Sequence, residues 1–309
     1  MNHAPGAPAP GALTIRPERP LIVDAHHHFW NLEREDLPWM TAAHGVIRRT
    51  FEPGDLAPLL ERTGVSQTVL VQAACSDSDT DSLFEHAARH EWIGGVVAWI
   101  DLRSPQRASD RLGELSQRRK LRGIRHLIHD EPDPHWILQE RVLESLALLE
   151  RRGLILELPC VYPRHLGDVP ELATAFPRLS IVVDHLGKPP IGSDEMGPWG
   201  EELRAAASHG NVAAKISGLN TALVASDWDA DDLREAVAVA LGAFGPDRLV
   251  CGSDWPVALL NGDYERIWRE TVRVIEQLAP EHAERLLARN ALRLYDLDGA
   301  VAAAAGAPS

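Results

Sequence analysis

Cysteine is scarce in this sequence: Cys75, Cys160 and Cys251 are all there is in 309 residues. They are widely separated and in no metal-ligand spacing, which excludes both a disulfide-stapled scaffold and a cysteine zinc site. They read as small buried apolar residues in a reducing compartment, which places the chain in the cytoplasm. Positive charge is also in short supply, with 31 Lys and Arg against 45 Asp and Glu for a net of −14. A surface of that sign repels phosphate backbones and anionic lipid, so neither nucleic acid nor a membrane is an expected partner. No apolar run approaches the roughly 18–20 residues that cross a bilayer. The segment from Met1 to Pro20 lacks a basic start and an apolar core, so it does not read as a signal peptide. No glycine-rich phosphate loop follows the first apolar strand, which argues against a nucleotide-binding sheet.

What is present is a globular composition, 45% hydrophobic and 25% charged, arranged as a repeating alternation. Short β-branched runs recur at 21–25, 68–72, 95–100, 123–127, 154–158, 180–183, 212–216 and 248–251. Between them lie segments with apolar residues at helical spacing, at 81–90, 104–119, 141–151, 231–244 and 264–278. Ser104-Pro105 reads as a cap followed by proline at the first helical position, and Gly153 and Gly245 sit where C-terminal glycines belong. Eight strands, each followed by a helix, predict a parallel sheet covered on both faces. Their number favours an α/β fold of the closed (β/α)8 TIM-barrel type, distorted and single-domain, over an open doubly wound sheet. The barrel is assigned to residues 20–298, between a flexible Pro- and Ala-rich start at 1–19 and a disordered Ala-rich tail at 299–309.

In such a barrel chemistry gathers at the C-terminal ends of the strands, and unusual polar residues fall there. After the first strand comes Asp24-Ala25-His26-His27-His28. Alternation puts His26 and His28 on one face and turns His27 away, so two imidazoles can converge on one metal ion or one substrate oxygen. The fourth strand ends in Arg125-His126; alternation groups Arg125 with Gly123, where a guanidinium binds a carbonyl or carboxylate, against the plainer reading of a surface pair with Asp130 or Glu131. The sixth ends in Asp184-His185, the seventh in Lys215 before Ser217-Gly218, and the eighth in Gly252-Ser253-Asp254-Trp255-Pro256. A carboxylate placed as Asp254 is needs a cationic, metal or hydrogen-bonded partner; its plainer role is a helix cap. Trp30, His126, Glu157, Lys215 and Trp255 are candidate substrate contacts around the same mouth. Asp101, His129, Tyr162 and His165 are weaker ones.

The strings VDAHHHFWNLEREDLPWM, GIRHLIHDEPDP, VDHLGKPPI, AKISGL and CGSDWPV run in that order from Val23 to Val257. Their layout resembles the amidohydrolase superfamily, and within it the sugar-lactonase branch of L-fuconolactonase and L-rhamnono-lactonase type. The resemblance implies a (β/α)8 barrel that opens a lactone ring, with His26, His28, His185 and Asp254 at its centre. Superfamily members with two metals carry a bridging Lys or Glu and a His at strand five. Strand five here reads LILELPC, with Glu157 but no His, so the resemblance implies at most a single ion.

Two versions of water attack on the ring ester then fit these residues. In one, a single divalent ion, Zn²⁺ by its affinity for imidazole, sits on His26, His28 and Asp254 with His185 nearby. In the other no metal binds; Asp254 takes the proton from water while His26, His28, His185 and Arg125 stabilise the oxyanion. Asp254 is the base in both, with His185 and Arg125 beside it as catalytic groups. The expected partner is a small neutral lactone such as L-fucono- or L-rhamnono-lactone; homo-oligomerisation is left open. The alternatives are a metal-dependent decarboxylase or hydrolase of an aromatic or cyclic acid on the same scaffold, and a carbohydrate-binding barrel without turnover.

Overall fold

A computed structural model gives the fold; the residues it describes are 21–297. The segments assigned to a flexible start and a disordered tail lie outside the described residues. Eight strands alternate with helices: β1 (Ile22–His27), β2 (Val65–Val71), β3 (Ile93–Ala98), β4 (Leu121–Arg125), β5 (Ile155–Leu158), β6 (Ile181–Val183), β7 (Val212–Ile216) and β8 (Leu249–Cys251). They form one parallel sheet in the order β1 to β8. The sheet closes where β1 meets the end of β8: Asp254 N donates to His26 O at 2.8 Å and His28 N donates to Trp255 O at 2.7 Å. The fold is therefore a (β/α)8 barrel rather than an open doubly wound sheet. The seam that closes it runs through residues carrying the candidate chemistry.

Strands buried on both faces need apolar residues at nearly every position, and β1, β3, β6, β7 and β8 are buried throughout. Outward-facing residues pack under the helices. The inward set, Val23, Ala25, Val69, Val71, Val97, Val182, Ala213 and Val250, fills the lower barrel together with Ala288, Ala291, Leu292, Tyr295 and Leu297 from the C-terminal segment. That segment is a π-helical turn, Arg285–Arg289, running into a short helix, Asn290–Leu294. It plugs the barrel from the end opposite the candidate site.

Five helices fall at or near their expected positions: Asp77–Arg89, Pro105–Leu115, Glu140–Arg152, Ala230–Phe244 and Tyr264–Leu278. Pro105 does occupy a first-turn position, but the Ser104 side chain makes no capping bond. Gly153 ends its helix at φ 64°, as a left-handed cap requires. Pro53–Thr63, Val169–Ala175 and Met196–Ala207 were not read from the sequence. The first carries Pro53, Gly54 and Pro58, the last Gly197, Pro198 and Gly200, and the middle one is only seven residues long. Breakers in the first turn of a helix cost little, Pro58 and Gly200 lie deeper, and all of them interrupt the apolar period on which a sequence reading depends. Among the described residues no helix is long and apolar enough to cross a membrane.

Candidate active site

The last turn of β1 sets His26 and His28 side by side, their Nε2 atoms 3.1 Å apart and their rings edge to face. His27 points the other way and shares a hydrogen bond with Thr68 Oγ1 at 2.8 Å. His185, just after β6, brings its ring to 4.6 Å from that of His26. Asp254, three residues after β8, completes the group. Its Oδ1 lies 3.6, 3.5 and 3.8 Å from Nε2 of His26, His28 and His185. Two imidazoles from one strand and a third from a distant part of the chain thus surround one carboxylate oxygen, and none of the four residues is more than 5% exposed.

Local backbone geometry makes this convergence possible. His185 and Asp254 both sit in the left-handed region, at φ 53° and 58°, a conformation that costs a non-glycine residue about 1–2 kcal/mol. The barrel seam and the bonds around it offset that cost. Ser253 N and Oγ donate to the two oxygens of Asp24 at 2.8 and 2.6 Å, and Tyr264 OH donates to Asp24 Oδ2 at 2.9 Å. Burial pushes the Asp24 carboxyl up to about 6, against these donors. Close approach also demands small neighbours. A Cβ on Gly218 would lie 2.5 Å from Asp254 Oδ2, and Gly218 itself has φ 62°. Gly218→Ala should therefore shift the Asp254 carboxylate and lower kcat about 100-fold, the scale expected of a displacement near 1 Å. Steady-state kinetics beside a melting curve checks this; a variant with wild-type kcat would show that the carboxylate is not held by this contact.

Hydrogen bonds fix one tautomer and bias a second. His28 Nδ1 can only donate to Val71 O, at 2.9 Å, and His185 Nδ1 faces Ser217 Oγ at 2.9 Å and Ser217 O at 3.3 Å. In both rings the neutral form then keeps its Nε2 lone pair toward Asp254. Burial lowers the His26 and His185 imidazoles, so both favour the neutral form. Burial works the other way on Asp254; its carboxyl lies well below the usual range through the adjoining imidazoles of His185, His28 and His26, an effect that requires Nε2–H on those rings and that lone pairs turned inward do not supply.

Beneath and beside this group lies a layer of four charges, sealed at Asp184, Glu157 and Lys215 and open only at Arg125. Arg125 Nε donates to Asp184 Oδ2 at 2.7 Å, and its Nη1 reaches Gln72 Oε1 at 2.9 Å and Gln72 O at 3.2 Å. Lys215 Nζ donates to Glu157 Oε2 at 2.6 Å and lies 2.9 Å from His26 Nδ1. Tyr295 OH, from the C-terminal plug, donates to Glu157 Oε1 at 2.6 Å. Burial raises the Glu157 carboxyl. Asp184 is held well below its usual range, against burial, by Lys215, His26 and Arg125.

Several expectations need correction. Arg125 pairs with buried Asp184, not with Asp130 or Glu131. Glu157 and Lys215 are fully buried and face each other under the imidazoles, so neither is placed to touch a substrate. Trp30 and Trp255, each 1% exposed, belong to an aromatic cluster with Phe51; Trp30 Nε1 donates to Arg49 O, and Trp255 packs on Phe29. His126 stacks on Trp136 with ring centroids 4.0 Å apart, bonds Glu131 at 2.8 Å and accepts from Trp99 Nε1. It braces the loop after β4 and does not join the central group. Asp101 pairs with Arg107 at 3.2 Å. All three cysteines are free, but Cys75 is exposed rather than buried. The sequence reading gave no role to Asp24, Gln72, Asp184 or Tyr295. Asp24 and Asp184 were legible in principle, since each is an acidic residue closing or inside an apolar strand, where burial demands partners.

The donor set fits a cation. Tetrahedral coordination at about 2.0–2.1 Å puts ligand atoms about 3.3–3.4 Å apart. The separations among His26, His28 and Asp254 are 3.1, 3.6 and 3.5 Å. Those three residues, and separately His26, Asp184 and His185, form groups able to hold an ion.

A (β/α)8 barrel with imidazoles and a carboxylate converging at the C-terminal ends of its strands is the architecture of a barrel enzyme whose site lies at the strand ends. The chain belongs to the amidohydrolase family, whose model matches residues 23–297. It is 36% identical over 281 residues to L-fucono-1,5-lactonase of Burkholderia ambifaria, covering 89% of this chain and 96% of that one. It is 34% identical over 291 residues to L-fucono-1,5-lactonase of Burkholderia multivorans, covering 90% and 96%. A crystal structure of an amidohydrolase from Burkholderia multivorans with bound zinc superposes with a TM-score of 0.82 at 33% identity, covering 89% of this chain and 99% of that one.

Proposed function

We propose that the chain is a lactonase that hydrolyses the ring ester of a sugar-acid lactone of the L-fucono-1,5-lactone class. The observation that carries this reading is the ionised Asp254 carboxylate ringed by three imidazoles, in a chain more than a third identical to an L-fucono-1,5-lactonase over nearly its whole length. Asp254 takes a proton from water as the water oxygen bonds to the carbonyl carbon. Carbonyl π electrons move to oxygen, and the Arg125 guanidinium stabilises the resulting oxyanion, with His185 assisting when its Nε2 carries a proton. Arg125 Nη2 has no protein partner among the described residues, which leaves it for the substrate. When the tetrahedral species collapses, the ring C–O bond breaks. The departing oxygen recovers the proton from Asp254, leaving an open-chain hydroxy acid.

His26 and His28, with Asp254, would hold one divalent ion, zinc by the preference of imidazole nitrogen. Such an ion supplies Lewis acidity to the carbonyl and brings the pKa of adjacent water down to about 7. That help suits a base as weak as Asp254. We place the enzyme in the cytoplasm, with a small neutral lactone as its partner.

A panel of γ- and δ-aldonolactones and aromatic acids, read by proton release or loss of absorbance, tests the reading. It is run with and without added zinc, after chelation and elemental analysis. Turnover of 6-deoxy-sugar lactones is expected, falling at least tenfold on chelation and returning with zinc. Consumption of aromatic acids alone would replace the lactonase by a decarboxylase, and lactone binding without opening would leave only a binding barrel.

A further inference from the structure

His26 has beside Nδ1 both a group that can only donate and a group that can only accept, whereas His28 Nδ1 meets a carbonyl alone and His185 Nδ1 a hydroxyl and a carbonyl. Lys215 Nζ is 2.9 Å away and can only donate. Asp184 Oδ1 is 3.4 Å away and can only accept while ionised. That oxygen is sealed from solvent and makes no hydrogen bond, although Lys215 Nζ also lies 3.4 Å from it. A buried carboxylate oxygen without a partner is costly, so it is a ready acceptor for a proton on Nδ1.

Two hydrogen-bond arrangements are therefore open to this ring: the first in the positions observed, the second after a small shift that moves Lys215 Nζ off Nδ1 and brings Nδ1–H onto Asp184 Oδ1, which makes no hydrogen bond at its present 3.4 Å. In the first, Lys215 donates to Nδ1, and the ring proton sits on Nε2. There it points at His28 Nε2, 3.1 Å away, whose own Nδ1 is committed to Val71 O. Every polar atom in that chain is satisfied, but His26 has no lone pair for a cation. In the second, the ring proton sits on Nδ1 and goes to Asp184 Oδ1, while Lys215 keeps Glu157 at 2.6 Å. Nε2 of both His26 and His28 then present lone pairs, which face one another comfortably only across a cation.

We propose that His26 is a tautomer-gated metal ligand, its proton resting on Nε2 when Lys215 donates to Nδ1 and moving to Nδ1, shared with Asp184, when Nε2 binds a divalent cation. No proton is gained or lost; one N–H bond is exchanged for another in the same ring. Lys215 and Asp184 act as opposed positioning residues. The ammonium holds the site closed to the ion, and the carboxylate opens it. This rests on the metal reading of the site given above and not on the choice of substrate.

The test uses the full-length protein labelled with ¹⁵N-histidine, with His26→Gln to assign the ring. Long-range ¹H–¹⁵N spectra of the metal-stripped wild type should show His26 protonated at Nε2. One equivalent of zinc should move the proton to Nδ1. A Lys215→Met/Glu157→Leu double variant removes the donor while leaving the buried charges balanced. It should show Nδ1–H without zinc and bind zinc at least tenfold more tightly in competition with a chelating dye. Nδ1–H in the stripped wild type, an unchanged tautomer at zinc saturation, unchanged or weaker affinity in the double variant, or no zinc uptake by either protein would each overturn the proposal. If the double variant does not fold, the wild-type spectra decide. Turnover enters neither readout, so a chain that opens no lactone still tests the gate.

Discussion

Asp254→Asn should lower kcat on the best lactone by about 10³-fold or more while leaving the fold in place. The size follows from removing a positioned general base, worth typically about 10²–10⁴-fold. Structural survival follows from the backbone: Asp254 sits at φ 58°, and asparagine is among the few residues that tolerate the left-handed region. The amide also keeps the shape of the carboxylate against Gly218, so the steric fit is retained. What is lost is the carboxylate charge, held well below the usual carboxyl range, and with it the proton acceptor. Steady-state rates with a circular-dichroism melt separate the two effects. A correctly folded variant within tenfold of wild type would remove Asp254 from the chemistry.

Lys215→Met should be the most damaging single change to stability, at about 3–5 kcal/mol. Arg125, Lys215, Asp184 and Glu157 form a layer of two cations and two carboxylates with almost no access to water. Deleting one cation leaves two buried carboxylates sharing one guanidinium, and an uncompensated buried charge costs on that scale. At about 2–3 °C per kcal/mol for a domain of this size, the melting temperature should fall by about 10 °C. Removing the pair together, as Lys215→Met/Glu157→Leu, should recover most of the loss, since apolar replacement of a buried pair is often neutral. Tyr295 then loses its acceptor, a residual cost of about 1 kcal/mol. A double variant as unstable as the single one would show that the lysine acts through packing and not through charge balance.

The barrel was legible because its strands are short apolar runs at regular intervals, and because polar residues break those runs at their C-terminal ends. That His26 and His28 share a face follows from strand alternation; that this face is the inner one does not, because an irregularity after Asp24 turns His26 inward directly beside inward-facing Ala25. Their approach to His185 and Asp254 does not follow from alternation either. It depends on two left-handed residues and on a seam between the first and last strands, and nothing local in the sequence announces either. Burial was misjudged for the same reason. Glu157 and Lys215 lie at strand ends like the true mouth residues, but one layer deeper, where each is the other's partner. Trp30 and Trp255 stand next to the imidazoles in sequence and turn away from them in space.

Tyr295 and Leu297 are among the last described residues of the chain, yet they lie inside the barrel, and Tyr295 touches the charge layer beneath the histidines. Synthesis proceeds from the other end, so the ribosome releases this stopper only after all eight strands have been made. Until then the floor of the barrel is open and Glu157 lacks its phenolic donor. The nascent polypeptide cannot complete its hydrogen-bonded interior before the segment at 285–297 has been made.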